Sequence, residues 1–145
     1  MPASGDLGST FDDAIKDFNN AYNIKDYRDF RQYLHPVARI VIQKVDDPGE
    51  FVAGTIQDVM KYLNNEEANP GDNKALFPQL LNYKRDDHPK ERQNRKGEVV
   101  GDVIGTGSYQ DKHDDPKNQI PVHFCLRFKK HQGVWHLVAA FVWPI

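Results

Sequence analysis

The chain has 145 residues, the size of one domain, and a formal charge of −2 from 19 basic and 21 acidic residues. So weak a field excludes nucleic acid or an anionic membrane as the main partner, and 39% hydrophobic residues with 11% aromatics exclude a disordered chain. One cysteine, Cys125, cannot form an internal disulfide, and a chain of this size needs neither disulfide nor metal to hold its core. No stretch is apolar enough to span a bilayer and Met1–Asp6 carries no secretory pattern, so the expected address is the cytoplasm.

Residues 1–9 read as a flexible start. Phe11, Ile15, Phe18 and Tyr22 recur at helical spacing, with Thr10 and Asp13 as the expected cap. A shorter helical pattern from Asp26 carries Tyr27, Phe30, Tyr33 and Leu34 and stops at His35-Pro36, because proline cannot continue the ladder. Val37–Val45 is β-branched around Ile40-Val41-Ile42 and closes on an Asp46–Gly49 turn, with a short return strand at Phe51–Ala53. Thr55 and Asp58 repeat the capping signal ahead of a third helix carrying Ile56, Val59, Met60 and Leu63.

Asn69–Asn73 reads as a loop, and Phe77–Tyr83 fits strand or helix equally. Lys84–Lys96, with six basic and three acidic residues and no aromatic ring for base stacking, reads as exposed. Glu98–Gln110, Ile120–Lys129 and Val134–Trp143 are strand-length runs separated by turn chemistry at Asp114–Pro116 and His131–Gly133. Helices first and neighbouring strands last describe an α+β domain, its helices packed on a curved antiparallel sheet.

Strand alternation sorts the faces. Val122, Phe124, Leu126 and Phe128 share one face, where Gly101, Gly105 and Gly107 leave room for large cross-strand neighbours. A four-residue turn at Lys130–Gly133 would add Trp135, Leu137, Phe141 and Trp143 to it and set Arg127 opposite His136. The other face is mixed, with Asp102, Thr106, His123 and Arg127 among Ile104, Cys125, Val138, Ala140 and Val142. Both faces are too apolar for open water. Helices cover one, and the other calls for a second subunit, hence an expected homodimer.

The run Phe18–Pro36, the glycine-led Gly54–Leu63, and Gly105–Tyr109, Pro121–Leu126 and Gly133–Val138 resemble the nuclear transport factor 2-like superfamily, in particular its SnoaL-like branch. The resemblance implies a cone-like, cystatin-like roll whose curved sheet and helices enclose a hydrophobic pocket, commonly in a homodimer. Its members include isomerases, dehydratases and cyclases as well as association modules without catalysis.

Two function classes follow. One is a small-molecule-binding protein for a hydrophobic or oxygenated ligand, acting by cofactor-free acid–base chemistry. The other is a non-catalytic dimerisation or partner-binding module. In the first, His123 is the general acid or base and Asp102 fixes its tautomer; the alternative is a hydrogen-bonded core or interface histidine, which so few proton-relay groups favour. Tyr22 and Tyr33 can donate to a ligand oxygen, Thr106 lines the mixed face, and Arg127 beside His136 can grip an anion. No metal, nucleotide or other cofactor is implied, since the six histidines lack zinc spacing and Gly101–Tyr109 lacks the dinucleotide pattern.

Overall fold

The computed structural model describes residues 6–24, 26–43, 51–64, 79–110 and 119–145; the turns expected at 46–49, 69–73 and 114–116 lie outside them. The first helix, α1 (Leu7–Ile24), starts before the Thr10 cap. Asp6 takes that role, its carboxylate accepting the Ser9 N–H at 2.7 Å, so Leu7 and Gly8 are already buried and the expected flexible start does not extend over them. Leu7, Phe11, Ile15, Phe18 and Tyr22 form its apolar stripe. The second helical pattern tightens to a 3₁₀ helix, Arg28–Tyr33, with Phe30 and Tyr33 inward.

Two short strands follow, β1 (Ile40–Gln43) and β2 (Phe51–Gly54), paired antiparallel. The second helix, α2 (Ile56–Asn64), has the expected capping box: Thr55 Oγ1 accepts the Asp58 N–H at 3.4 Å and Asp58 accepts the Thr55 N–H at 3.0 Å. The ambiguous segment is a strand, β3 (Gln79–Arg85), and the exposed polar stretch contains a short one, β4 (Lys90–Gln93). The long strands β5 (Val99–Gln110), β6 (Gln119–His131) and β7 (Val134–Pro144) complete the sheet.

The described strands make one sheet in the order β2-β1-β7-β6-β5-β3, with β4 beside the first residues of β5. All pairs are antiparallel except β1 on β7, so the sheet is mixed rather than antiparallel throughout. The β6–β7 turn is also tighter than the four residues expected. Gln132 and Gly133 alone make it, with φ of 53° and 78°, as a two-residue hairpin turn of the primed type requires.

A bulge then alters the far half of β7. Arg127 pairs with Ala139 and Phe128 with Leu137, leaving Val138 as the extra residue. Trp135 and Leu137 face the helices, but beyond Val138 the parity reverses. Ala140 and Val142 turn inward opposite Leu126 and Phe124, while Phe141 and Trp143 turn outward beside Cys125 and His123. The expected grouping of Phe141 and Trp143 with Phe124, and of Ala140 and Val142 on the other face, is therefore corrected by one inserted residue.

The core lies between α1, the 3₁₀ helix and the inner sheet face. Phe11 is its hub, stacked on Phe124 at 5.3 Å and edge-on to Tyr83 at 5.3 Å. Removing a ring so placed costs about 3–5 kcal/mol. Asp12, the next residue, accepts the Tyr83 hydroxyl at 2.7 Å and two bonds from Arg85 at 2.9 Å, tying α1 to β3. The glycines of β5 face the large side chains as expected, Gly101 opposite Phe128 and Gly105 opposite Phe124.

A Cβ on Gly105 would lie 2.6 Å from Phe124 Cζ and closer still to the Lys84 carbonyl oxygen, which as backbone cannot step aside. Gly105→Ala is expected to destabilise by about 1–3 kcal/mol, read by chemical denaturation, and an unchanged midpoint would contradict this packing.

Candidate functional site

The helices cover one face of the sheet, and the candidate site lies on the other. There β5, β6 and β7 place Thr106, His123 and Trp143 in one cross-strand row, Thr106 opposite His123 and His123 opposite Trp143. The His123 and Trp143 rings are 5.8 Å apart and tilted by 31°. With Ile104 and the corner Lys84–Asp86, this row lines an open groove of about 490 Å³. Its walls are mostly apolar, with the imidazole and the threonine hydroxyl as polar handles.

Asp102 does not join His123. It stands four residues from Thr106 along β5, on the order of 13 Å at strand rise, and pairs with Arg127 in the register. Arg127 Nε donates to it at 2.8 Å and Arg92 Nη1 at 2.9 Å. Burial works to raise its pKa, but the two guanidinium bonds outweigh burial and hold it below the ordinary carboxylate value. The carboxylate expected to orient His123 is thus taken by two arginines. Arg127 in turn lies opposite Ala139, not His136, which pairs with Lys129, because the tighter turn and the bulge change the register.

The remaining candidates are dispersed. Tyr22 and Tyr33 are buried in the core, and the Tyr33 hydroxyl donates to Asp17, so burial and that bond raise its pKa. His136 is half-buried near the β6–β7 turn, its pKa pulled down by burial, at the edge of a second groove of about 590 Å³ whose wall includes Leu34, Pro36, Ile56 and Arg31. Cys125 is a half-buried thiol whose pKa burial pushes up, and the nearby Asp102 carboxylate adds to the effect. Among the described residues, no group of three or more His, Cys, Asp or Glu is arranged to hold a metal ion.

Sequence reasoning brought Thr106 and His123 to one face, and the groove joins them. It did not find Arg92, hidden in a stretch without strand periodicity, or the Lys84–Asp86 wall. The alternation of Lys90 and Arg92 on one side of a short strand was the available signal.

The Asp102 cluster is partly exposed and open to screening by salt, so Asp102→Asn is expected to cost only about 0.5–1 kcal/mol at neutral pH. A carboxylate with a depressed folded pKa contributes fully above its unfolded value and loses that contribution as pH falls through the folded one. The stability gap between wild type and Asp102→Asn should therefore close once the pH drops below the usual carboxylate range. A gap that persists in acid, in melting curves across pH, would contradict the ion-pair assignment.

No family model and no curated protein sequence matches the chain. Solved structures do. A nuclear transport factor 2-like protein of unknown function from Shewanella oneidensis is similar with a TM-score of 0.53 at 16% identity, over 91% of this chain and 94% of that one. The CamKII hub homology domain of Chlamydomonas reinhardtii is similar with a TM-score of 0.54 at 16% identity, over 88% and 90%. A putative calcium/calmodulin-dependent protein kinase II association domain from Xanthomonas campestris is similar with a TM-score of 0.53 at 14% identity, over 100% and 91%. At such identities the likeness speaks for architecture alone: helices packed on one face of a curved mixed sheet. This chain has the nuclear transport factor 2-like fold.

Proposed function

We propose that the chain is an association module that works as a homodimer, with the outer sheet face of one copy closed by the other. One observation carries this reading. Ile104 at 52%, Trp143 at 42% and Phe51 at 49% exposure stand on the surface, and Phe141 packs edge-on against Phe51 at 5.9 Å. A sheet face left to water alternates polar outward, and this one presents large apolar side chains instead. The Asp102–Arg127–Arg92 cluster lies toward one end of the same face, where charges can rim an apolar patch. Two of the similar structures bear the names of hub and association domains, which agrees with such a role. A half-buried single thiol suits a reducing compartment such as the cytoplasm.

The groove beside His123 favours a second reading, a ligand site of the SnoaL-like kind for a small hydrophobic molecule bearing oxygen. Thr106 and His123 would meet the oxygen while Ile104 and Trp143 cover the apolar part. His123 would then act as acid or base without Asp102. Closing the face with a second copy encloses the groove, so a ligand would sit between subunits.

Sedimentation velocity separates the readings. The wild type is expected to be a dimer at micromolar concentration, with an interface of more than about 2,000 Å² in total. The double variant Ile104→Glu/Trp143→Glu should be a monomer with an unchanged circular dichroism spectrum, since both side chains are already exposed. A monomeric wild type would defeat the association reading. For the ligand reading, small oxygenated hydrophobes should raise the melting temperature of the wild type and not of His123→Ala. No stabilisation of the wild type across such a panel would defeat it.

A further inference from the structure

At the other end of β6, three histidines from separate segments meet. His35 follows the 3₁₀ helix, His131 ends β6, and His136 is the third residue of β7. The His35 ring lies 5.0 Å from that of His131 and 5.9 Å from that of His136, and the latter two are 6.4 Å apart. His35 is only 2% exposed. Its Nδ1 accepts the N–H of Ala38 at 2.9 Å and of Val37 at 3.2 Å, while its own backbone N–H donates to the Leu137 carbonyl at 3.1 Å. One residue thus folds the strap 34–38 on itself and fastens it to β7, just ahead of the parallel seam where β1 meets β7.

The bonding decides the protonation state. A ring whose Nδ1 accepts two N–H groups carries its proton on Nε2 and is neutral, because an imidazolium has no lone pair left to accept with. The same tautomer leaves Nε2 without a lone pair for a metal. His136 adds a buried Nδ1 that finds no hydrogen-bond partner among the described residues.

The surrounding charges oppose protonation. Lys129, ion-paired to Glu98 at 3.3 Å, faces the cluster from the sheet, and Lys130 lies over the Trp135 ring. From the 3₁₀ helix, Arg28, Asp29 and Arg31 border the groove that His136 lines, and Arg28 is held by Asp26.

We propose that His35, packed against His131 and His136, is the pin of an acid-operated latch: neutral, it fastens the strap 34–38 to β7, and protonated, it releases it while β5 and β6 stay folded. Release would uncover Leu34, which is buried on the wall of the neighbouring groove. Burial first, then the charges of His131, Lys129 and His136, pull the pKa of His35 from 6.5 down to about 4, against the opposing pull of Glu98. For a histidine with a depressed folded pKa, the released state binds more protons between these two values. The latch is therefore fully closed above the upper one and weakens as pH falls toward the lower, by about tenfold per pH unit.

Hydrogen exchange on the whole chain, corrected for intrinsic rates, tests this. From pH 6.5 to 4.5, protection of the amides of His35, Val37 and Ala38 should fall about fortyfold, while those of Phe124 and Leu126 in β6 hold. In His35→Asn the amide oxygen can accept the same N–H groups without titrating, and strap protection should become flat with pH. In His131→Gln one facing charge is gone, which raises the folded pKa of His35 towards its ordinary value, so the loss of strap protection by pH 4.5 should be smaller than in the wild type. Strap protection that persists to pH 4.5, or loss of strap and β6 amides together, would overturn the proposal. So would either variant releasing with the wild-type pH profile.

Discussion

The structure depends on one extra residue. Val138 is inserted where β7 crosses from Phe128 to Arg127, and the insertion exchanges the two faces of everything after it. Ahead of it, Trp135 and Leu137 enter the core. After it, small and medium residues, Ala140 and Val142, go inside and the large rings of Phe141 and Trp143 go out. The interior opposite that half of β7 is already filled by Phe11 stacked on Phe124, so two further rings there would overpack it. A bulge keeps the core within its volume and moves the surplus aromatic surface to the side the helices leave open.

From that displacement the functional surface follows. His123 is flanked by Trp143 only because the parity changed, and Phe141 reaches Phe51 for the same reason. The outer face becomes apolar in the middle and ionic toward one end, where Asp102 is shared by Arg92 and Arg127. The inner face becomes a packed aromatic core held to α1 by Asp12, Tyr83 and Arg85. Face by face, packing gives the two sides of one sheet different characters: a closed aromatic core inward, and outward the exposed apolar surface on which the proposed association rests.

Much of the fold was legible because its signals are local. The Thr55–Asp58 capping box, the stripe from Phe11 to Tyr22 and the glycines opposite Phe124 and Phe128 each act within a turn or a strand pair, where residue type and spacing carry the physics. What escaped depends on parity or on distant partners. A bulge consumes one residue and leaves the hydrophobic pattern readable in either register, so Phe141 and Trp143 looked like core. The two-residue turn was masked by His131, which reads as a turn residue and is the last of β6. Asp102 and His123 share a face, as alternation required, but their separation along the strands depends on pairing that neither residue reveals. His35 looked like punctuation before a proline; that its ring accepts the Val37 and Ala38 N–H groups while its own N–H donates to the Leu137 carbonyl appears only once β7 lies beside it.

Val138 sends Trp143 to the outer face that, in the proposed dimer, a second copy covers, and acrylamide quenching reads the exposure of Trp143 in solution. Trp135 is buried, so Trp135→Phe leaves Trp143 as the only indole, and the measurement compares this protein with and without Ile104→Glu. Trp143 should be shielded in the parent at micromolar concentration and freely quenched once Ile104→Glu opens the interface. Trp143 shielded in both would mean that it lies in the core and the bulge is wrong, and Trp143 freely quenched in both would mean that no second copy covers the face.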